Sequence, residues 1–206
     1  MKSSENLKRF QDSLNLSYDK WHDGEGYDLE ALQQLEGSER AIAENSLLSR
    51  NASDWRDIEA LDVLGTEKAL EEMHRALSSR RIEVRIEAAE RLRKRGIIEV
   101  EDMENVIMQS LDEVTLFNGM NRVLRLVEQY PSKNIRKKIR WCAVNVNDDI
   151  RVLAAAMYHF LSGCTETSFD WEYRPLYLRF GKSGKPDRES ALQELDELIK
   201  QTTESS

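Results

Sequence analysis

Thiols are scarce in this chain: Cys142 and Cys164 are the only two cysteines in 206 residues, and they form no CxxC pair. That excludes a disulfide framework and a four-thiolate zinc site, and it fits a reducing cytoplasm as the expected location. Prolines number three and glycines nine, a shortage of turn residues that favours helices over a sheet-rich fold. Long apolar runs are missing too. The longest, Val152 to Phe160, is interrupted by His159 and is about half of the ~20 residues that a spanning helix needs. Met1 to Asn6 show no apolar stretch of a secretory signal. A soluble, cytoplasmic protein without a membrane partner is expected. Catalytic signatures are equally sparse. His22, His74 and His159 are isolated in sequence, and no phosphate-binding loop, dinucleotide fingerprint, nucleophile elbow or zinc spacing is present. No enzyme activity, cofactor or metal is expected.

Charge is abundant, at 33% of residues, and the total is −8. An acidic chain is a poor nonspecific nucleic-acid binder. The charge is unevenly placed, however. Residues 122–140 carry Arg122, Arg125, Lys133, Arg136, Lys137, Lys138 and Arg140 against Glu128 alone, a net of +6 that leaves the remainder at −14.

A helical phrase recurs in step. Val84-Arg85 with Ala88-Ala89, ending at Gly96, reappears as Ile150-Arg151 with Ala154-Ala155, ending at Gly163. Val84 and Ile150 are 66 residues apart, and Phe117-Asn118 falls midway, at 33. A fixed period of this size is the signature of stacked helix pairs that bury their apolar faces on each other.

The first segment predicts a helix with Leu7, Phe10, Leu14, Tyr18 and Trp21 on one face. Asp28 caps a short helix through Leu29, Leu32 and Leu35, closed by Gly37. Ser38 caps the next, Glu39 to Ser49, with Ala41, Leu47 and Leu48 buried. The array begins at Ser53-Asp54-Trp55-Arg56 and ends its first helix at Gly65. Thr66 caps the partner helix, whose stripe is Ala69, Leu70, Met73 and Leu77. The next pairs are 82–95 with 101–113 and 116–130 with 132–146, followed by a first helix over 149–162. Beyond Gly163 the repeat stops. An aromatic and arginine-rich segment, Phe169 to Gly181, leads to a final helix opened by Pro186.

These residues resemble HEAT repeats, whose first helix often carries an acidic residue, then Val-Arg, then small residues, and ends in glycine. Residues 84–96 and 149–163 match well, Trp55-Arg56 with Ala60 in part, and Phe117-Asn118 by phase alone, because Asn121 and Arg122 stand where alanines would be. The resemblance implies an all-α, right-handed α-solenoid of antiparallel helix pairs over residues 53–163. Residues 1–52 would form an N-terminal helical cap and 164–206 a C-terminal cap. It further implies that Arg56, Arg85 and Arg151 pair with acids between repeats, Asp57 or Glu59 for the first and Asp148 or Asp149 for the last. The chain also resembles small bacterial HEAT-like proteins to which no activity attaches.

Three stretches are candidates for function. On the helix 132–146, Ile135, Ile139, Cys142, Ala143 and Val146 form the inward stripe. At about 100° per residue, Lys133, Lys137 and Arg140 point away from it, with Arg136 beside them and Trp141 at the edge. In a HEAT stack this face would look into the concave groove. Cations beside an aromatic suit a protein with an acidic surface; the same pattern is also that of an ordinary solvated face, and nucleic acid ranks below both. The loop Trp21 to Asp28 gathers His22 and carboxylates, but it matches no EF-hand and reads as a turn with a helix cap. Trp171 to Phe180 could anchor a partner and reads more naturally as a cap.

The expected function is therefore a non-catalytic protein-binding scaffold, in one version an immunity or antitoxin-like protein that occludes its partner. The alternative is a DNA-repair enzyme resembling the HEAT-like alkylpurine DNA glycosylases, with Trp141 in a basic cleft. A resemblance to HEAT-like bilin lyases rests on the repeats alone. The oligomeric state is not encoded in any of these features.

Overall fold

The computed structural model describes residues 4–15, 25–115, 118–182 and 184–204. Most of those residues are helical, with no strand among them. No helix among them is long and apolar enough to cross a membrane. They form two compact units, residues 1–99 and 100–206.

The first unit holds α1 (Glu5–Ser13), α2 (Leu29–Gln33), α3 (Gly37–Leu48), α4 (Trp55–Leu64), α5 (Glu67–Ala76) and α6 (Ile82–Lys94). α4 is its hub, packed on α2, α3, α5 and α6. Its start is set by a capping box: Asp54 accepts from the first turn, and Asp57 accepts from the Asp54 N–H at 2.9 Å. Its end is set by Gly65, in the left-handed region at φ 59°, which a side chain rarely adopts. Thr66 then caps α5 as expected.

The second unit holds α7 (Val100–Glu113), α8 (Met120–Gln129), α9 (Lys133–Asn145), α10 (Asp148–Leu161), α11 (Arg174–Leu178) between two 3₁₀ turns, and α12 (Lys185–Glu204). α9 packs on α7, α10 and α12, so its apolar side is enclosed on three flanks. Ile135, Ile139, Cys142 and Ala143 are fully buried there, as the periodicity predicts. Val146 is only half-buried, and Val144 takes its place in the core.

Several local expectations are corrected. α3 begins at Gly37, so Gly37 opens this helix and does not close the previous one; Ser38 lies inside it, and no side chain caps it. Its buried residues are Ala43 and Leu47, while Ala41 is exposed and Leu48 half-buried. The run Ala41-Ile42-Ala43 has no clear phase, and packing against α4 and α5 selected the face. In α5, Ala69 and Met73 are buried, whereas Leu70 and Leu77 are half-buried. α8 starts at Met120 behind Gly119, left-handed at φ 76°. α1 ends at Ser13 with Leu7 and Phe10 buried; Tyr18, Trp21, the loop residues His22 to Gly24, and Phe117 lie outside the described residues.

The recurring arginines are core residues. Arg56, Arg85 and Arg151 are 2%, 0% and 6% exposed. A guanidinium survives burial only when its donors are satisfied, and here backbone carbonyls left over at loop and helix ends do much of this. Arg56 donates from Nε to the Glu25 carbonyl at 2.6 Å, Arg85 to the Ser79 carbonyl at 2.9 Å, and Arg151 to the carbonyls of Val146 and Phe180, both at 2.8 Å. The acid on Arg56 is its helix cap Asp54, not Asp57 or Glu59. Asp57 instead joins Arg50 and Tyr27, and Glu59 joins Arg91. Arg151 does pair with Asp148.

Candidate functional site

α9 is a helix of opposed faces. Ser132 caps it by accepting from the Ile135 N–H at 3.1 Å. From that cap the exposed side runs Lys133, Arg136, Lys137, Arg140. The chain therefore brings these four expected contact residues and the fifth, Trp141, onto the exposed side of one helix.

Two depressions flank that ridge. One, of about 380 Å³, lies between α9, α10 and α12; its walls include Lys133, Arg136, Lys137, Tyr158 and Ile199. The other, of about 430 Å³, has Trp141, Val144, Leu192 and Glu189 in its wall. Lys137 and Arg140 line both and form the divide.

The cations are not equivalent. Arg140 is already engaged: it donates from Nε to Asp196 Oδ1 at 3.1 Å and from its terminal nitrogen to Oδ2 at 2.5 Å, a two-point grip. Tyr158 donates to the same Asp196 Oδ1 at 2.9 Å. Burial, helped by the Asp196 charge, pushes the Tyr158 hydroxyl up to about 12, while the bond to Asp196 raises the Arg140 guanidinium. Lys138, outside the ridge, pairs with Asp112 and sits 4.5 Å from the Trp141 ring centre. One face of the indole is thus covered by a cation, and the side chain remains 47% exposed. Lys133, Arg136 and Lys137 have no ion-pair partner among the described residues.

Asp196 and Tyr158 were missed by sequence reasoning. Asp196 lies 56 residues from Arg140, and nothing in its own helix marks it among several exposed acids. Only the packing of α12 on α9 could reveal it.

Chemically, the surface offers donors and positive charge. Cys142 lies on the inner side of α9, and burial pushes its thiol up to about 12, which leaves it an inert core group. Among the described residues, no group of three His, Cys, Asp or Glu side chains could hold a metal ion.

The closing segment divides. Tyr177 and Phe180 are fully buried, and Tyr177 shares a 2.9 Å hydrogen bond with His159 Nδ1. Trp171 stands 73% exposed, with Arg174 over its ring and Phe169 at its edge. This segment covers the end of α10 and leaves one aromatic outside.

The fold and surface define an all-helical protein with a cationic helix face. The chain matches no protein-family profile, no curated protein and no solved structure.

Proposed function

We propose that this chain is a non-catalytic HEAT-type scaffold, a right-handed solenoid of helix pairs, that binds a protein with an acidic surface through the exposed face of α9. Its specific form is an immunity-like or antitoxin-like protein that occludes its partner. One observation carries the reading: three cations without an ion-pair partner among the described residues occupy the first half of α9. That is the positive end of the helix dipole, and the helix has no acid in its first turn. Lys133 stands three and four residues from Arg136 and Lys137, spacings at which like charges cost about 0.2–0.5 kcal/mol per pair. Other cations of the chain are matched within it: Arg91 meets Glu59, Asp62 and Glu87, and Arg179 meets Glu194. An external anion relieves the repulsion that this face retains.

The test is a nuclease-treated pull-down from native cells with wild type beside Lys133→Glu/Arg136→Glu/Lys137→Glu, both shown to be folded by circular dichroism. One stoichiometric polypeptide held by wild type and lost by the variant supports the reading. Capture of nucleic acid alone, when nuclease is omitted, moves the DNA-repair alternative to the front. That alternative draws on Trp141 in the basic face, but Asp196, the carboxylate on Arg140, is engaged by Arg140 and Tyr158.

A further inference from the structure

The two depressions on either side of the Lys137–Arg140 divide differ in chemistry, and together they specify more than an acidic surface. The first is cationic, with Lys133, Arg136 and Lys137 unpaired at its rim. The second has the half-exposed Trp141 in its wall with Val144 and Leu192, beside Lys137, Arg140 and Lys185, and it carries one acid, Glu189, 3.7 Å from Lys185. We propose that the occupant is a single polypeptide segment that lays a run of carboxylates along Lys133, Arg136 and Lys137 and places the apolar side chain that follows them against Trp141. This deepens the acidic-partner reading and rests on it.

Three observations select a peptide over a nucleic-acid strand. Asp196 already shows the preferred ligand: a carboxylate gripped at two points by an arginine of this same face. Beyond Lys137 the cations that a strand's phosphates need are already matched, Arg140 by Asp196 and Lys185 by Glu189. Lys138 covers one face of Trp141, so a base is left a single face to stack on, whereas an aliphatic group needs no more than that face or the ring edge. A carboxylate run followed by an aliphatic group meets none of these obstacles. Its charges end where the free cations end, and its apolar group meets Val144 and Leu192.

The proposal is tested by fluorescence anisotropy with three labelled probes: an oligoglutamate ending in leucine, the same oligoglutamate without leucine, and an oligothymidylate of equal charge. Wild type is expected to bind the leucine-ended peptide about tenfold more tightly than the plain one, the scale set by burying one aliphatic side chain. It is expected to bind the oligothymidylate more weakly than either. Trp141→Ala, a half-exposed position, should abolish the leucine increment, so that the two peptides bind alike; Trp141→Phe should restore part of it. Lys133→Glu/Arg136→Glu/Lys137→Glu should lose both peptides. Equal binding of the two peptides, both lost in the triple variant, overturns the anchor and leaves the acidic-partner reading standing. Tighter binding of the oligothymidylate, or no binding of either peptide, overturns both.

Discussion

At the scale of single residues, Asp196 decides how much of the basic face is available. Its carboxylate neutralises Arg140, whose side chain is 44% exposed, and takes a further hydrogen bond from Tyr158. So exposed an ion pair contributes about 0–1 kcal/mol to stability, so its loss should barely change melting. Its removal should matter more for binding. In Asp196→Asn the Arg140 guanidinium is released into the groove, and affinity for plain oligoglutamate should rise severalfold at low salt, a gain that fades as salt screens the face. Tyr158 should also ionise below its present value of about 12, since it loses the negative charge beside it. Anisotropy and an ultraviolet pH titration of the two proteins measure these effects. An unchanged affinity would place Arg140 outside the occupied surface.

Among the helices, ends were more legible than faces. Asp28 and Thr66 cap α2 and α5 as expected, and Asp54 and Ser132 cap α4 and α9 in the same way, while Ser38 does not cap α3; a short side-chain acceptor beside free N–H groups is a local matter. Gly96 and Gly163 close α6 and α10 in the same manner, left-handed at φ 68° and 77°, with the next N–H returning to Leu92 and His159. Nothing lies within 4 Å of a methyl group built at either glycine, so backbone strain alone governs substitution there. Gly163→Ala should lower the unfolding free energy by about 1–2 kcal/mol, read as a shift in urea midpoint. Faces were harder. In α3 the apolar residues lack a period, and only contact with neighbouring helices chose Ala43 over Ala41. The recurring arginines mark the same boundary: their positions repeat in sequence, but the carbonyls that satisfy Arg56 and Arg151 come from residues about thirty positions away.

Across the whole molecule, buried titratable groups frame a pH range of stability. Burial holds His159 below its ordinary value of 6.5, against the opposing charge of Asp170. A depressed folded value means the unfolded chain takes the proton first, so stability present above about pH 6.5 is lost as pH falls. His159→Gln should flatten this acid limb. On the alkaline side Cys142 and Tyr158 are both raised to about 12, and Tyr27 and Tyr177 are raised as well, with burial the largest cause for each. The unfolded chain then releases protons first, so stability declines from about pH 9, the thiol's ordinary range, toward pH 12. Urea midpoints measured across the pH range should trace a plateau with two falling limbs. A flat profile to pH 11 would show that these groups are solvated in the folded protein.

The sequence by itself determined where helices start and stop, and it determined that α9 carries a cationic face. Caps, left-handed glycines and a thirteen-residue periodic stripe are all interactions between near neighbours. Tertiary structure alone decided which of those cations remain unpaired. Arg140 is answered by an acid 56 residues away and Lys138 by one 26 residues away, while Lys133, Arg136 and Lys137 meet no acid among the described residues. Charge acts through space over a few ångströms, and the distances between α7, α9 and α12 exist only once the chain has packed them together.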